Sequence, residues 1–165
     1  MSANVLVVMG SDSDWRIMEK AVNTLTEFGV EAEVHVASAH RTPAKALSLS
    51  REAHQRGVDV IIAGAGAAAH LAGVLASETP LPVIGVPING TALQGVDALY
   101  ATVQMPSGVP VATMAIDGAK NAALLAIQML GIKDATLRQK FLDYKKTMAA
   151  EVEVKDQKLQ ALVKK

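Results

Sequence analysis

The sequence predicts an α/β fold, a three-layer αβα sandwich built on a five-stranded parallel sheet. Five short apolar runs alternate along the chain with five segments of helical periodicity. The first run is apolar on consecutive residues, as a strand buried on both faces must be, and the second (32–37) alternates. The succession of runs and helices is that of repeated βαβ units. The length, 165 residues, suits one domain with a sizeable core, and half of the residues are hydrophobic.

The elements follow in order. Residues 4–9, NVLVVM, read as a buried strand that ends in the turn Gly10-Ser11-Asp12-Ser13-Asp14. A helix runs from there to Phe28, with Trp15, Met18, Val22 and Leu25 on one face and Gly29 as terminator. Residues 32–37 form the second strand. Thr42 as N-cap and Pro43 at the first helical position open a helix over 43–56, which Gly57 stops. Residues 58–63 are the third strand, entering the small-residue turn Gly64-Ala65-Gly66-Ala67-Ala68, and 70–77 a helix. Strand 82–87, helix 91–103, strand 109–116 and helix 119–130 complete the sandwich. Right-handed crossovers leave the flavodoxin-like arrangement as the natural topology.

Residues 1–132 are thus expected to form the flavodoxin-like domain, and 133–165 an additional C-terminal helical arm. Within 136–163, Leu137, Phe141, Tyr144, Met148 and Val152 recur every three or four residues. That stripe needs a partner, either its own domain or a neighbouring subunit. Between residues 60 and 116 the only acidic or basic residues are Glu78 and Asp97. So little charge implies surface covered by other copies, and a homo-oligomer is expected.

Composition narrows the function. Net charge is zero and the pI is about 6.9, so no electrostatic footprint for nucleic acid or an anionic membrane is present. With no cysteine, disulfides, thiolate metal sites and a thiol nucleophile are excluded. The first nine residues lack a basic n-region, and no window approaches a membrane helix. The expectation is a cytoplasmic protein.

In a doubly wound sheet, ligands bind at the carboxyl ends of the strands near the switch in strand order. That rule gathers the loops after the first three strands, and with them Ser11, Ser13, Asp14, Ser38, His40, Arg41 and the glycine turn. Serine hydroxyls, helix-start N–H groups and the Arg41 fork suit a phosphate. Asp14 can accept from sugar hydroxyls, and Gly64 and Gly66 allow close backbone approach to a flat ligand. Imidazole exchanges protons near neutral pH, which makes His40 the candidate proton carrier, with a structural or surface role as its rival. Simpler roles compete: Ser13 or Asp14 as a helix cap, His35 and His54 as surface groups, His70 as core, cap or supporting residue. Gly64-x-Gly66 is too short and too late for a dinucleotide fingerprint.

Several motifs, in order and at compatible spacing over residues 5–130, resemble one family. They are VVMGSDSDW (7–15), SAHRTP (38–43), IIAGAGAAAHLAG (61–73), VIGVP (83–87), LQGVDALYATVQMPSGVPVAT (93–113) and NAALLA (121–126). The resemblance is to the N5-carboxyaminoimidazole ribonucleotide mutases of purine biosynthesis, the bacterial form of the phosphoribosylaminoimidazole carboxylase catalytic subunit. It implies a homo-octamer, a ribonucleotide substrate, and chemistry without metal or organic cofactor. It further implies that His40 is catalytic, that His70 is a second active-site histidine for orientation or closure, and that Ser11, Asp14 and Arg41 bind substrate. The family turn usually reads GAGGAAHLPG, so Ala67 replaces its third glycine and Ala72 its proline. Gly90, Ala98 and Ala101 stand where the family often has serine, and loop 117–120 is shorter than usual. The sister activity, direct carboxylation of aminoimidazole ribonucleotide, and a non-catalytic nucleotide-binding module are the alternatives.

Overall fold

The computed structural model describes residues 4–164. Five parallel strands stand in the order β2-β1-β3-β4-β5, the flavodoxin-like order predicted. They are β1 (Asn4–Met9), β2 (Glu31–Val36), β3 (Val58–Gly66), β4 (Val83–Ile88) and β5 (Ala112–Thr113). The helices are α1 (Trp15–Phe28), α2 (Pro43–Glu52), α3 (Leu71–Ala76), α4 (Val96–Val103), α5 (Ala119–Leu130) and α6 (Ala135–Val163).

Strand alternation divides the core between two layers. Val5, Val7, Met9, Val60, Ile62, Ile84, Val86 and Ile88 face α1, α5 and the start of α6. Leu6, Val8, Ile61, Ala63 and Val83 face α2 and α3. Gly85 on that second side lets α4 approach, since a Cβ there would lie 2.4 Å from Thr102 Cγ2 and 3.3 Å from Ala72 Cβ. Each of the fully buried aliphatic side chains contributes about 1.5–3 kcal/mol relative to exposure.

Several boundaries depart from the sequence reading. The fifth strand, expected over 109–116, pairs with β4 only at Ala112 and Thr113. Pro106 and Pro110 have no N–H to donate, and the Val109 N–H closes a turn on the Pro106 carbonyl instead. The third strand is longer than expected and runs through Gly66, so Gly64 and Gly66 are strand residues rather than a turn. The second helix gives way after Glu52 to a 3-10 turn, Ala53–Arg56, before Gly57. The fourth helix begins at Val96, not 91, because Gln94 and Gly95 both take positive φ (53° and 87°).

The buried face of α1 is Ile17, Met18, Ala21, Thr24, Leu25 and Phe28. Trp15, expected on it, is 42% exposed, because the first residue of the helix lies on the solvent side of that stripe.

Helix α6 starts on an Asp134 cap that accepts from the Thr136 and Leu137 N–H groups. Its first half packs on its own domain: Leu137 is buried, and the Phe141 and Tyr144 rings lie 6.3 and 5.7 Å from Phe28. Residues 145–164 are all exposed, Val152, Leu159 and Leu162 among them. Among the described residues no helix is long and apolar enough to cross a membrane.

Candidate active site

Parallel pairing brings three strands to a common rim. Met9 is level with Val36 of β2 and with Gly64 of β3. The Gly10 N–H then donates to the Gly64 carbonyl (3.1 Å) and the Ala37 N–H to the Met9 carbonyl (2.9 Å). The three following loops leave the sheet side by side.

The first loop is held by a capping box. Ser11 Oγ accepts from the Ser13 N–H (3.4 Å), and Asp14 Oδ2 accepts from the Ser11 N–H (3.1 Å). Ser13 Oγ donates to Ser11 Oγ at 2.9 Å. Ser11 thus caps the 3-10 turn Asp12–Asp14, and α1 itself starts with Asp14 at the N-cap position, whose side chain makes no bond to the helix. Burial pushes the Asp14 carboxyl up from its ordinary value of 3.8, against the lowering effects of the Ser11 N–H and of Arg16.

The second loop closes on itself. The Ser38 N–H donates to Thr42 Oγ1 (2.9 Å), which donates in turn to the Ser38 carbonyl (3.1 Å). Ser38 Oγ accepts from the Arg41 N–H at 3.1 Å. Thr42 holds the N-cap position, but its hydroxyl is spent on Ser38 and makes no bond to the helix it precedes. Pro43, lacking a donor, leaves one fewer N–H to cap. His40 and Arg41 lie exposed at the crest. Among the described residues no carboxylate approaches Arg41 within 4.0 Å, so its charge is available to a ligand.

The third loop supplies the other histidine. His70 sits at the N-cap of α3, and its Nδ1 lies 2.9 Å from His40 Nε2. The rings meet edge to face, 4.9 Å apart at 72°. One imidazole donates and the other accepts, so the bond survives with either ring carrying an extra proton but not with both.

A cleft of about 230 Å³ opens among these loops. Ser11, Ser13, Asp14, Ser38, His40, Arg41, Gly66 and Ala67 line it. Gly64 does not. It is buried beneath α1, where a Cβ would fall 2.4 Å from Met18 Sδ, so this glycine admits a helix rather than a ligand. His70 stands beside the cleft, tied to His40. Sequence reasoning did not single out the wall residues Gly10, Ala39, Ala65, Ala68 and Leu71 as ligand contacts, and Gly90 entered it only as a position where the family often has serine. Gly90 was within reach of the same rim rule, since it follows β4. Among the described residues no group of three His, Asp or Glu is gathered to hold a metal ion.

Fold and rim together define an α/β-sandwich enzyme whose paired imidazoles stand at the carboxyl ends of its strands. The family model for AIR carboxylase matches residues 4–151. The chain belongs to that family. It is 54% identical over 156 residues to an N5-carboxyaminoimidazole ribonucleotide mutase of Pyrococcus horikoshii, covering 94% of this chain and 88% of the relative. A mutase of the same name from Mycobacterium tuberculosis is 54% identical over 159 residues, covering 96% and 91%. The crystal structure of Treponema denticola PurE superposes with a TM-score of 0.85 at 29% identity, over 95% of this chain and 98% of that one.

Two outcomes follow. Ala67 has φ 49°, a left-handed conformation that costs an L-residue roughly 1–2 kcal/mol. Ala67→Gly removes that strain but frees the unfolded chain, and a net gain of about 1 kcal/mol in denaturant stability is expected. Lower stability would contradict it. An acid whose native pKa is raised binds its proton more readily folded than unfolded, so stability declines as pH climbs from the ordinary 3.8 through the raised value. In Asp14→Asn that decline should flatten in thermal melts run across the acid range. An unchanged profile would mean that burial does not govern this carboxyl.

Proposed function

We propose that this chain converts N5-carboxyaminoimidazole ribonucleotide to 4-carboxy-5-aminoimidazole ribonucleotide in purine biosynthesis. The observation that carries the reading is the His40–His70 contact at a cleft with an unspent Arg41, in a chain about 54% identical to mutases of that name.

The chemistry needs one proton moved twice. As the carbamate N–C bond breaks, its electron pair stays on nitrogen, which takes a proton, and carbon dioxide is released into the cleft. Ring carbon 4 then attacks the carbon dioxide, forming the new C–C bond, and loses its hydrogen as a proton. Charge and protons balance, so a single acid/base group suffices. His40 gives the first proton and receives the second. His70 orients the His40 ring through the 2.9 Å contact. Arg41 forks onto the phosphate, with Ser11 and Ser13 hydroxyls and the N–H groups of the first loop beside it. Asp14 accepts from the ribose hydroxyls. Ser38 keeps a hydroxyl proton to donate while its oxygen positions Arg41. Gly66 and Ala67 form the wall against the base.

The same reading includes a cytoplasmic homo-octamer. Exposed Leu93, Val96, Tyr100 and Val103 on and before α4, Ile132 after α5, and Val152, Leu159 and Leu162 on the outer half of α6 form apolar surface that further copies would cover. The outer half of α6 is then an arm on a neighbour, whereas its inner half belongs to its own domain.

The purified protein is expected to turn over the carbamate nucleotide, and His40→Asn to lose about 10²-fold or more of that rate while still binding nucleotide. Turnover of the unmodified nucleotide with bicarbonate, and none of the carbamate, would replace the mutase with a direct carboxylase. The double variant Leu159→Glu with Leu162→Glu should lower the particle mass in light scattering; an unchanged mass would leave the arm outside the interface.

A further inference from the structure

The cleft's fourth side is Gly90, just beyond β4, and glycine brings no side chain to that wall. A Cβ built there meets nothing within 4 Å, so the wall stands wherever the backbone of the preceding residue puts it. That residue, Asn89, is gripped twice. Its carbonyl, part of the Asn89–Gly90 peptide, accepts from Arg16 Nη2 at 2.5 Å. Its N–H donates to Asp117 Oδ1 at 2.9 Å.

Neither partner is in the cleft. Arg16 is the second residue of α1, two places after Asp14, with an exposed side chain. Asp117 comes from the segment between β5 and α5. Its own N–H donates to the Pro87 carbonyl at 2.8 Å, and it holds φ 59°, a left-handed conformation that Asp tolerates better than most residues. The Asn89 backbone also lies against Gly95, where an added Cβ would fall 3.3 Å from Asn89 Cα and 2.6 Å from Ile116 Cγ2. The strand end, its loop and the segment leading to α5 are thereby locked into one unit, with Arg16 tying that unit to the helix that follows the first loop.

We propose that Arg16 and Asp117 are positioning residues, which grip the Asn89 backbone at both ends and so set the Gly90 wall against the bound ribonucleotide. The proposal rests on the reading of the cleft as the substrate site. A loosened wall weakens binding of a ligand that spans the cleft but leaves the imidazole pair in place.

Steady-state kinetics with the carbamate nucleotide, run beside thermal melts, tests it. Arg16→Ala should raise KM by about 3- to 10-fold, the worth of one hydrogen bond, with kcat within about twofold and an unchanged melting temperature. Asp117→Ala should raise KM in the same direction. Asp117→Asn keeps both the acceptor oxygen and the tolerance for left-handed φ, so it should stay near the unaltered protein. The double alanine variant should raise KM by less than the product of the single effects, because both partners hold one residue.

If Arg16 acted only through its charge on the phosphate, Arg16→Ala would raise KM and Asp117→Ala would lower it, which overturns the proposal. An unmoved KM in Arg16→Ala overturns it as well, and this exposed variant needs no refolding of the core. If His40→Asn retains full activity, the reading of the site itself fails, a result separate from either of these.

Discussion

The site depends on the parallel register of β1 with its two neighbours. Backbone hydrogen bonding makes Met9 level with both Val36 and Gly64, so β1 and β2 finish at one height and β3 runs two residues further, to Gly66. The loop residues Ser11, His40 and His70 are far apart in sequence, yet each leaves the sheet within a residue or a short turn of that line. A slip of one residue in either pairing would turn every side chain of a strand to the opposite layer. β1 is apolar on both faces and discriminates little against such a slip, whereas β2 alternates Glu31, Glu33 and His35 with Ala32, Val34 and Val36. The bonds of Gly10 to the Gly64 carbonyl and of Ala37 to the Met9 carbonyl add to the hold on the register.

Residues that both brace the loops and line the cleft are concentrated at this rim. Ser11 and Asp14 form a capping box that would stabilise any strand-to-helix turn, and the same two groups face the cleft. Capping leaves these oxygens able to meet a ligand, because hydroxyl and carboxylate oxygens have lone pairs beyond the one that the backbone N–H uses. Burial nevertheless disfavours the charge on Asp14. A carboxylate held partly desolvated in an open cleft is poised for a hydrogen-bond donor from outside. Ser38 shows the same economy, closing its loop and bracing Arg41 together.

Ala67 departs from this economy. It retains a left-handed backbone where its family usually has glycine, and the loop's shape is held by turns such as Ala69 N–H to the Ala67 carbonyl at 2.9 Å. Strain of this kind persists only where the surroundings over-determine the conformation, and such positions gather at functional sites. Gly64, by contrast, is glycine because Met18 of α1 fills the space above it.

The sequence by itself determined the layer architecture, the strand order and eight of the cleft-lining residues: Ser11, Ser13, Asp14, Ser38, His40, Arg41, Gly66 and Ala67. Hydrophobic runs and helix signals are local, and the switch-point rule converts their order into a rim. Only the tertiary structure decided the rest. The two-residue length of β5 follows from prolines just before this edge strand, and the role of Gly64 from a helix passing over it. The approach of His40 to His70 and the grip of Arg16 and Asp117 on Asn89 join residues 28 to 73 positions apart. Contacts of that span depend on how whole elements pack. No periodicity or spacing in the chain encodes them.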